Sequence, residues 1–398
     1  MSAVAYLSSR LLNLPHANVA HWLFWTALVA LFYVYVGYPL LLAVIAGLRR
    51  RPAVEAGYSP RLTVLIPAYN EELSIGRKIE DTLALEYPSD LLEVLIVSDG
   101  SGDRTDAIVQ RFDDPRVRLV RVPSQKGKTH AQNLGVQHAT GEIIVFSDAT
   151  AIYHSKALLY LAAAYRDPSV GAVSGRYHYF RPRGGSPTTV GSIAFWNYEN
   201  FIKKLQSHIS TLTGCSGCIY SIRKNLYVPL PDVACSDIEE PLCIVRQGYR
   251  VVFEDRALAY EESTKTNFQE FRMRVRVCAH GIAAVVSQRD LLMRARFSWV
   301  SFQLVSHKVL RWMVPVYLSI LFLATAALAN SSTFRYLFLL QLSFYLFGFA
   351  SLFIPLHRLR LSLLGIPLYF CTINAAVLVG FFEVCRGHRF TIWDTARK

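Results

Sequence analysis

The sequence predicts an α/β fold, with a doubly wound and mostly parallel sheet, combined with α-helical membrane spans. Short apolar runs rich in β-branched residues alternate with helical patterns from residue 61 onward. This order is expected of parallel strands with helices on both faces of the sheet. Longer apolar regions lie towards both ends of the chain, and they contain stretches long enough to cross a bilayer. We therefore expect an integral membrane protein that carries one α/β domain at residues 52–296.

The composition favours membrane and phosphate partners and argues against nucleic acid. Hydrophobic residues make up 52% of the chain, above the usual share in soluble proteins, and the formal net charge is +13. This charge suits anionic lipid or phosphate-bearing ligands, but no module of a known nucleic-acid reader is visible. The seven cysteines are an odd and scattered set, and they predict no disulfide framework.

The amino-terminal apolar stretch, residues 21–48, predicts one transmembrane helix. It is long enough to span a bilayer and too long for the core of a signal peptide. Arg49, Arg50 and Arg51 follow it directly, and by the positive-inside rule these arginines stay in the cytoplasm. We therefore expect the α/β domain to be cytoplasmic.

Four predicted strands are each followed by a loop that carries a charged residue. The strands are Leu62–Ile66, Leu91–Val97, Val117–Val122 and Ile143–Phe146, and the charged residues are Glu71, Asp99, Lys126 and Asp148. Because the carboxyl ends of parallel strands meet at one edge of a sheet, we expect these side chains to converge on a cleft. Acids can hold a base and a divalent cation, a lysine can bind phosphate, and neighbouring glycines allow close backbone approach. Each residue alone is more simply a solvated loop charge, but together they predict a nucleotide diphosphate site.

These loops resemble the ordered motifs of family 2 glycosyltransferases. The matching stretches are Val64-Leu65-Ile66-Pro67-Ala68-Tyr69-Asn70-Glu71-Glu72, Asp99-Gly100-Ser101, Lys126-Gly127-Lys128 and Asp148-Ala149-Thr150. Members of this family are inverting, metal-dependent enzymes of the GT-A fold. The resemblance therefore implies that fold, a UDP-sugar donor, and Mg²⁺ or Mn²⁺ as the cofactor.

The resemblance also implies roles for the first two loops. It implies that Ala68 and Glu71 hold the uridine, with Tyr69 in the same loop among the binding residues. It places Asp99 on the base. Lys126, in the third loop, is the predicted phosphate-binding lysine.

The metal site is implied at the fourth loop, where Asp148 begins the D-x-D-type motif at the diphosphate. Thr150 stands where a second Asp is usual. A neutral hydroxyl is a poorer ligand for a hard cation than a carboxylate. Asp148 and Thr150 are the predicted metal ligands, with Asp148 the stronger of the two.

The stretch from Asp237 to Gly248 is similar to the family's T-E-D or D-D segment, whose last Asp is the general base. The resemblance puts that role on Asp237, and an acceptor hydroxyl needs such a carboxylate to take its proton. Ser236 stands where an acid usually precedes the base. Glu239 and Glu240 are rival candidates, although both can simply favour the amino end of a helix.

Two other segments bear on the acceptor. An aromatic and basic helix around Phe195 and Trp196 is typical either of a core helix or of a cleft wall on which sugars stack. Further on, Arg276 alone matches the Q-x-x-R-W motif of processive family members, because Met273 and Val277 replace the Gln and the Trp. Arg276 is then part of a basic face suited to phosphate or anionic headgroups, and processivity does not follow.

The carboxyl-terminal region predicts an amphipathic interfacial helix at residues 297–312, about three transmembrane helices at 313–383, and a basic tail at 384–398. Alternation from a cytoplasmic domain places the tail outside, whereas its basic residues favour the inside. The sequence leaves both arrangements open.

The resemblance covers nearly the whole chain and is strongest to bacterial synthases of hyaluronan, chitin-oligosaccharide and related exopolysaccharides. It implies sugar transfer from a UDP-sugar to a growing β-glycan within membrane lipid, where a homo-oligomer or an export partner could complete a polymer channel. Two alternatives stay open. One is transfer of a single sugar to a lipid or lipid-linked acceptor, and the other is an inactive UDP-sugar-binding subunit of an export complex.

Overall fold

The computed structural model describes residues 3–49, 57–180, 189–264, 266–293, 298–352 and 365–387. An eight-stranded sheet forms the centre of the α/β domain, with the strand order β3-β2-β1-β4-β7-β6-β8-β5. The strands are β1 Leu62–Ala68, β2 Leu92–Asp99, β3 Val117–Val122, β4 Ile143–Ser147, β5 Ile152–Tyr153, β6 Val170–Phe180, β7 Ile219–Arg223 and β8 Arg250–Glu262.

The half of the sheet made of β1 to β4 is parallel, as the sequence predicts. Every residue of β1, β2 and β4 is buried, because helices cover both faces of a parallel sheet. Ala68 and Asp99 are the last residues of β1 and β2, and Asp148 directly follows β4. All three therefore lie at the same edge of the sheet, where ligands of α/β folds bind.

The other half of the sheet is mixed. Strand β7 pairs antiparallel with both β4 and β6, whereas β8 runs parallel to β6 and pairs antiparallel with the short β5. The sequence pattern does not predict β8, because Glu254, Asp255 and Arg256 interrupt its apolar residues. This strand nevertheless brings a functional side chain to the cleft, as described below.

The α-helices pack on both sides of the sheet and continue into the carboxyl-terminal region. Helices α3 and α6 share one hydrophobic cluster with the sheet, and α5 and α8 share another. Within the described residues the helices are α1 Ala3–Phe32, α2 Tyr38–Gly47, α3 Ile75–Leu83, α4 Thr105–Val109, α5 Lys128–His138, α6 Ala157–Ala163, α7 Thr189–Ile209, α8 Ser236–Arg246, α9 Asn267–Ser287, α10 Asp290–Met293, α11 Ser298–Leu304, α12 Leu310–Trp312, α13 Val314–Ala327, α14 Ser332–Ala350 and α15 Gly365–Cys385.

Three helical segments of the described chain are long and apolar enough to cross a membrane: Asn18–Gly47, Ser332–Ala350 and Gly365–Cys385. The first runs through α1 and α2, which a π-helical turn at Tyr33–Gly37 joins. A fourth candidate is a pair of helical segments, Trp299–Trp312 and Val314–Ala327, which bend by 52° at their junction. The basic tail predicted at 384–398 lies outside the described residues beyond 387.

Helix α15 packs directly on α7 and α9 of the α/β domain. A Cβ atom on Gly191 of α7 would lie 2.4 Å from Tyr369 Cβ, and one on Gly380 would lie 3.0 Å from Val275 O. A side chain at Gly191 would collide with Tyr369, and one at Gly380 would be a tight fit, so both glycines favour the close approach of these helices. The apolar carboxyl-terminal helices and the α/β domain consequently form a continuous packed unit at this point.

Candidate active site

Hydrogen bonds join the loops that follow β1 and β2 into one wall of a cleft. Asn70, whose φ of 52° is left-handed, donates its backbone N–H to Ser101 Oγ at 3.1 Å and accepts from Gly102 N at 2.8 Å through Oδ1. Glu71 N donates to Thr105 Oγ1 at 2.8 Å. Asn is among the side chains that best tolerate a left-handed backbone, so the loop after β1 is held firmly against its neighbour.

Three of the predicted nucleotide-binding residues lie in this wall. Ala68 is fully buried, whereas Tyr69 and Glu71 are half-buried. The Glu71 carboxylate accepts a hydrogen bond from Ser74 Oγ, just before α3 begins. These residues lie at the sheet edge where a uridine could bind, and their contact with uridine stays a prediction.

Both carboxylate oxygens of Asp99 are bonded to the backbone of the loop before α5. Oδ1 accepts from Lys126 N at 2.9 Å and Oδ2 from Gly127 N at 2.7 Å, and the side chain is fully buried. Gly100 has a φ of 69°, and a Cβ atom there would lie 2.6 Å from Gln125 N. Asp99 therefore anchors this loop, and its predicted contact with the base stays a prediction.

Lys128, at the start of α5, is the lysine that contacts Asp148. Its Nζ donates to Asp148 Oδ1, whereas Lys126 is exposed. Burial acts to lower the pKa of Lys128, but the charges of Asp148, Asp237 and Glu261 outweigh it and hold the pKa above its usual value. Lys128 is therefore charged at neutral pH and can bind phosphate.

Glu261 contributes a buried carboxylate that the sequence pattern does not reveal. Thr150 Oγ1 donates to Glu261 Oε1 at 3.1 Å, and the Tyr177 hydroxyl donates to Oε2 at 2.7 Å. Glu261 is only 3% exposed. The pairing of β8 with β5, the strand that follows the Asp148 turn, brings this side chain to Thr150.

A second lysine, Lys78 of α3, supports the same turn from the other side. It is buried, and its Nζ donates to Ala151 O at 2.6 Å and lies 4.1 Å from the centre of the Tyr153 ring. Burial lowers the pKa of Lys78 to about 8, against the opposing charges of Cys218 and Asp148. The acids at this edge are thus accompanied by two cationic side chains.

Asp237 lies in the first turn of α8 and is half-buried. Cys235 Sγ donates to its Oδ1 at 2.9 Å, and Cys215 N donates to its backbone oxygen at 2.7 Å. A Cβ atom on Gly217 would lie 2.9 Å from Asp237 Oδ2, so glycine leaves the space that this carboxylate occupies. The charge of Asp237 acts on Lys128, which connects the predicted base electrostatically to the phosphate side of the cleft.

The two rival acids on α8 are both buried and engaged elsewhere. Glu239 Oε2 accepts from Ser287 Oγ at 3.2 Å, and Glu240 Oε2 accepts from the Tyr220 hydroxyl at 3.0 Å. Burial raises the pKa of Glu240 to about 8, so this group is mainly neutral at pH 7. Of the three acids, Asp237 has the exposure that a base for an incoming substrate requires.

Near its start, the aromatic helix α7 packs against α9. Its aromatic side chains there do not line an open cleft. Trp196 meets Tyr177 edge-on at 4.7 Å, and the Arg274 guanidinium lies 5.0 Å from the Phe195 ring and 5.7 Å from the Trp196 ring. These contacts favour the core-helix interpretation. Arg276 lies further along α9 and is half-buried, and its assignment to phosphate stays a prediction.

The residues at the edge fit a divalent cation that arrives with the nucleotide. Among the described residues, no three His, Cys, Asp or Glu side chains are grouped to hold a metal ion alone. Mg²⁺ usually keeps several waters and binds through one or two carboxylates together with substrate phosphates. Asp148, with Thr150 beside it, offers that kind of partial site.

Comparison with known proteins shows which family and fold this region is similar to. Residues 63–227 match the sequence model of the family described as glycosyl transferase family 2. These residues form a family 2 glycosyltransferase domain. The chain is 28% identical over 235 residues to a probable glycosyltransferase, YdaM, of Bacillus subtilis, and this match spans 54% of either chain. It is 24% identical over 348 residues to the poly-beta-1,6-N-acetyl-D-glucosamine synthase of Staphylococcus epidermidis, across 81% of this chain and 82% of that protein.

A solved structure shares the fold of this chain well beyond the matched residues 63–227. The mannosyltransferase PcManGT from Pyrobaculum calidifontis, in complex with GDP-Man and Mn²⁺, superposes with a TM-score of 0.68 at 24% identity, covering 91% of this chain and 98% of that one. The GT-A fold that the sequence motifs imply is thereby confirmed. The matched family region contains the cleft from Ala68 to Thr150 but ends before Asp237 and Glu261, so the roles of these two acids depend on the structure described here.

Proposed function

We propose that the protein is an inverting, metal-dependent membrane glycosyltransferase that transfers a sugar from a UDP-sugar onto a growing β-linked polysaccharide. The observation that carries this proposal is the contact of Lys128 with Asp148 at the carboxyl edge of the sheet, where the charge of Asp237 also acts on Lys128. One cleft thus combines groups suited to a diphosphate with a carboxylate suited to a hydroxyl.

The donor side is supported by charge. A bound Mg²⁺ or Mn²⁺ would neutralise part of the charge on the leaving diphosphate, with Asp148 and Thr150 as its protein ligands. Lys128 places a permanent positive charge beside Asp148 and would stabilise the leaving group in the same way. Ala68, Tyr69 and Glu71 are at the edge where the uridine would lie, and Lys126 extends from the adjoining loop.

The acceptor side is supported by Asp237. In an inverting transfer the acceptor oxygen forms a bond to the anomeric carbon while the bond from that carbon to the diphosphate oxygen breaks. The bonding electrons leave with UDP, and the acceptor hydroxyl proton passes to the base. The hydrogen bond from Cys235 and the space at Gly217 hold the Asp237 carboxylate in one position for this step.

The location of the reaction is supported by the apolar helices. With Arg49 at the end of the first candidate span, the α/β domain and its cleft are on the cytoplasmic side. Nucleotide sugars would then reach the cleft directly, and the packing of α15 on α9 keeps the domain close to the membrane.

A single sugar transfer to a lipid-linked acceptor is the second candidate, and Val277 favours it. This side chain is 49% exposed on α9, where processive relatives carry an aromatic residue. A small aliphatic side chain offers no ring on which an acceptor sugar can stack. The third reading, an inactive binding subunit, has only Thr150 and Ser236 in its favour.

Release of UDP by the purified full chain, in nanodiscs with Mn²⁺, tests this proposal across a panel of UDP-sugars and GDP-mannose. We expect turnover with one UDP-sugar and its loss in Asp148→Ala, while Asp90→Asn, which removes an exposed acid before the amino end of β2, retains it. Products of many lengths would identify a polymerase, and a one-sugar product would identify the second candidate. Turnover with GDP-mannose alone would contradict the donor, and no turnover with any donor would contradict the enzyme.

A further inference from the structure

The D-x-D-type turn of this chain lacks its second acid, yet a carboxylate is present behind the substituted position. Thr150 carries a hydroxyl where an Asp is usual, and Glu261 accepts the hydrogen of that hydroxyl at 3.1 Å. The two residues are 111 positions apart in sequence, and the pairing of β5 with β8 brings them together.

The Glu261 side chain is buried and hydrogen-bonded to protein groups. It is 3% exposed, and the Tyr177 hydroxyl donates to its second oxygen at 2.7 Å. Burying a carboxylate is costly unless hydrogen bonds and positive charge compensate for it. The neighbouring residue Glu262 is exposed at the end of the same strand, so the inward position belongs specifically to Glu261.

The charge of Glu261 adds to that of Asp148 at this turn. Asp148 is bonded to Lys128, and Glu261 is bonded to Thr150, although Glu261 and Asp148 come from opposite halves of the sheet. The turn therefore has the two carboxyl groups of a complete motif, with one of them behind Thr150.

The hydrogen-bond direction gives Thr150 a defined chemistry. A hydroxyl has one hydrogen and two lone pairs, and the hydrogen of Thr150 is directed to Glu261. A carboxylate that accepts the hydrogen of a hydroxyl makes the hydroxyl oxygen more basic and therefore a better donor to a cation. Carboxylates that accept hydrogen bonds from metal ligands orient those ligands and raise their basicity in this way.

We infer that Glu261 is a positioning residue that turns the Thr150 hydroxyl into a ligand for the divalent cation on the donor diphosphate, in place of the missing second Asp. This inference rests on the proposed function, because the cation would bind together with the nucleotide. Glu261 acts through Thr150 and through its charge, and Tyr177 fixes its orientation.

The test is Mn²⁺ binding to the full chain in detergent, measured in the presence of UDP from the electron paramagnetic resonance signal of free Mn²⁺. We expect Glu261→Gln to weaken Mn²⁺ binding by about tenfold or more, the range for lost outer-shell partners, and Thr150→Val to do the same. The double variant should lose little more than either single one, because both changes remove one unit. Glu262→Gln is the matched control and should bind as the wild type does.

Recovery of Mn²⁺ binding by a second substitution distinguishes the positioning role of Glu261 from a merely structural one. Thr150→Asp in the Glu261→Gln background restores a carboxylate at the turn, and we expect it to recover most of the Mn²⁺ affinity. If Glu261→Gln fails to fold, exposed Thr150→Val still tests the inference, since its binding must fall. Wild-type binding that both single variants retain would overturn the inference and leave the proposed function intact. A wild-type chain that binds no Mn²⁺ with UDP would overturn both.

Discussion

At the scale of single residues, burial separates the three acids at the start of α8. Asp237 is half-buried, whereas Glu240 is 2% exposed and accepts a hydrogen bond from the Tyr220 hydroxyl. A buried carboxyl group avoids the cost of charge by keeping its proton. Glu240 is therefore a buried neutral group beside the base. Its burial makes the free energy of unfolding depend on pH.

Replacing Glu240 by Gln should stabilise the protein at high pH more than at low pH. The folded-state pKa of about 8 lies above the ordinary value of 4.5, so the unfolded chain releases the proton first as pH rises. The free energy of unfolding of the wild type then falls between these two pH values, and Gln removes that loss. We expect a gain on the order of 2 kcal/mol at pH 8 relative to pH 5.

Thermal unfolding in detergent at pH 5 and pH 8 measures this difference, with Glu262→Gln as the exposed-acid control. A gain of equal size at both pH values would show that Glu240 is not the titrating group.

Gly217 should matter for turnover and not for nucleotide binding. In Gly217→Ala the new Cβ atom, 2.9 Å from Asp237 Oδ2, must displace the carboxylate of the base. We expect kcat to fall by about 10- to 100-fold, as for small misplacements of a catalytic group, with UDP affinity nearly unchanged. Gly47→Ala, where the space is open, is the control for steady-state kinetics. An unchanged kcat in Gly217→Ala would argue against Asp237 as the base.

At the scale of elements, the loop before α5 depends on Asp99. Asn at this position offers one acceptor oxygen, so it can replace only one of the two backbone hydrogen bonds to Lys126 and Gly127. We expect Asp99→Asn to speed hydrogen exchange of these two amides by about fivefold or more, equivalent to a lost bond of about 1 kcal/mol. The KM for the donor should rise, because Lys128 follows this loop.

Mass-spectrometric hydrogen exchange over residues 124–128 measures the effect. Equal protection in wild type and Asp99→Asn would contradict the anchoring role and would favour a direct role of Asp99 on the base.

The elements also explain what the sequence could and could not predict. The buried strands β1, β2 and β4 are continuous apolar runs, so their carboxyl ends, and with them Asp99 and Asp148, could be found directly. Strand β8 has charged residues in its middle, and its partner β5 has only two residues. Glu261 was therefore missed, because its meeting with Thr150 depends on a long-range strand pairing that local patterns do not encode.

The two lysines of one motif illustrate a similar limit. Lys126 and Lys128 are two positions apart, and the sequence alone favours Lys126 as the phosphate-binding lysine. The capture of the loop by Asp99 fixes the start of α5 so that Lys128 contacts Asp148. Only the three-dimensional path of the loop decides between them.

At the scale of the whole molecule, packing indicates how the carboxyl-terminal helices are arranged. Ala324 and Leu328 at the end of α13 pack beside Ala20 and Phe24 near the start of the first candidate span. The bent helix pair that ends with α13 therefore extends to the amino-terminal end of the first candidate span, which is the end opposite Arg49. Helix α15 instead packs along α7 and α9 from Tyr369 to Gly380, so much of its length lies against the α/β domain.

This arrangement predicts that Cys385 lies on the cytoplasmic side, in agreement with the basic residues of the tail. Cys385 is exposed at the end of α15, and a variant that keeps only this cysteine can be labelled with a membrane-impermeant maleimide. We expect labelling in inside-out vesicles and none in intact cells. A matched cysteine at Ser331→Cys, between α13 and α14, should show the opposite pattern. Labelling of Cys385 in intact cells would mean that α15 crosses the membrane.

The most direct test of the central claim compares chemistry with binding in Asp237→Asn. We expect transfer of a radiolabelled sugar from the UDP donor to fall by about 10²- to 10⁴-fold, the usual contribution of a general base. Binding of UDP with Mn²⁺, measured on the same preparation by calorimetry, should stay within about twofold of the wild type. The reason is that Asp237 lies on α8, outside the loops after β1 and β2 where the nucleotide is predicted to bind. Transfer that survives the substitution while nucleotide binding is intact would show that Asp237 is not the general base.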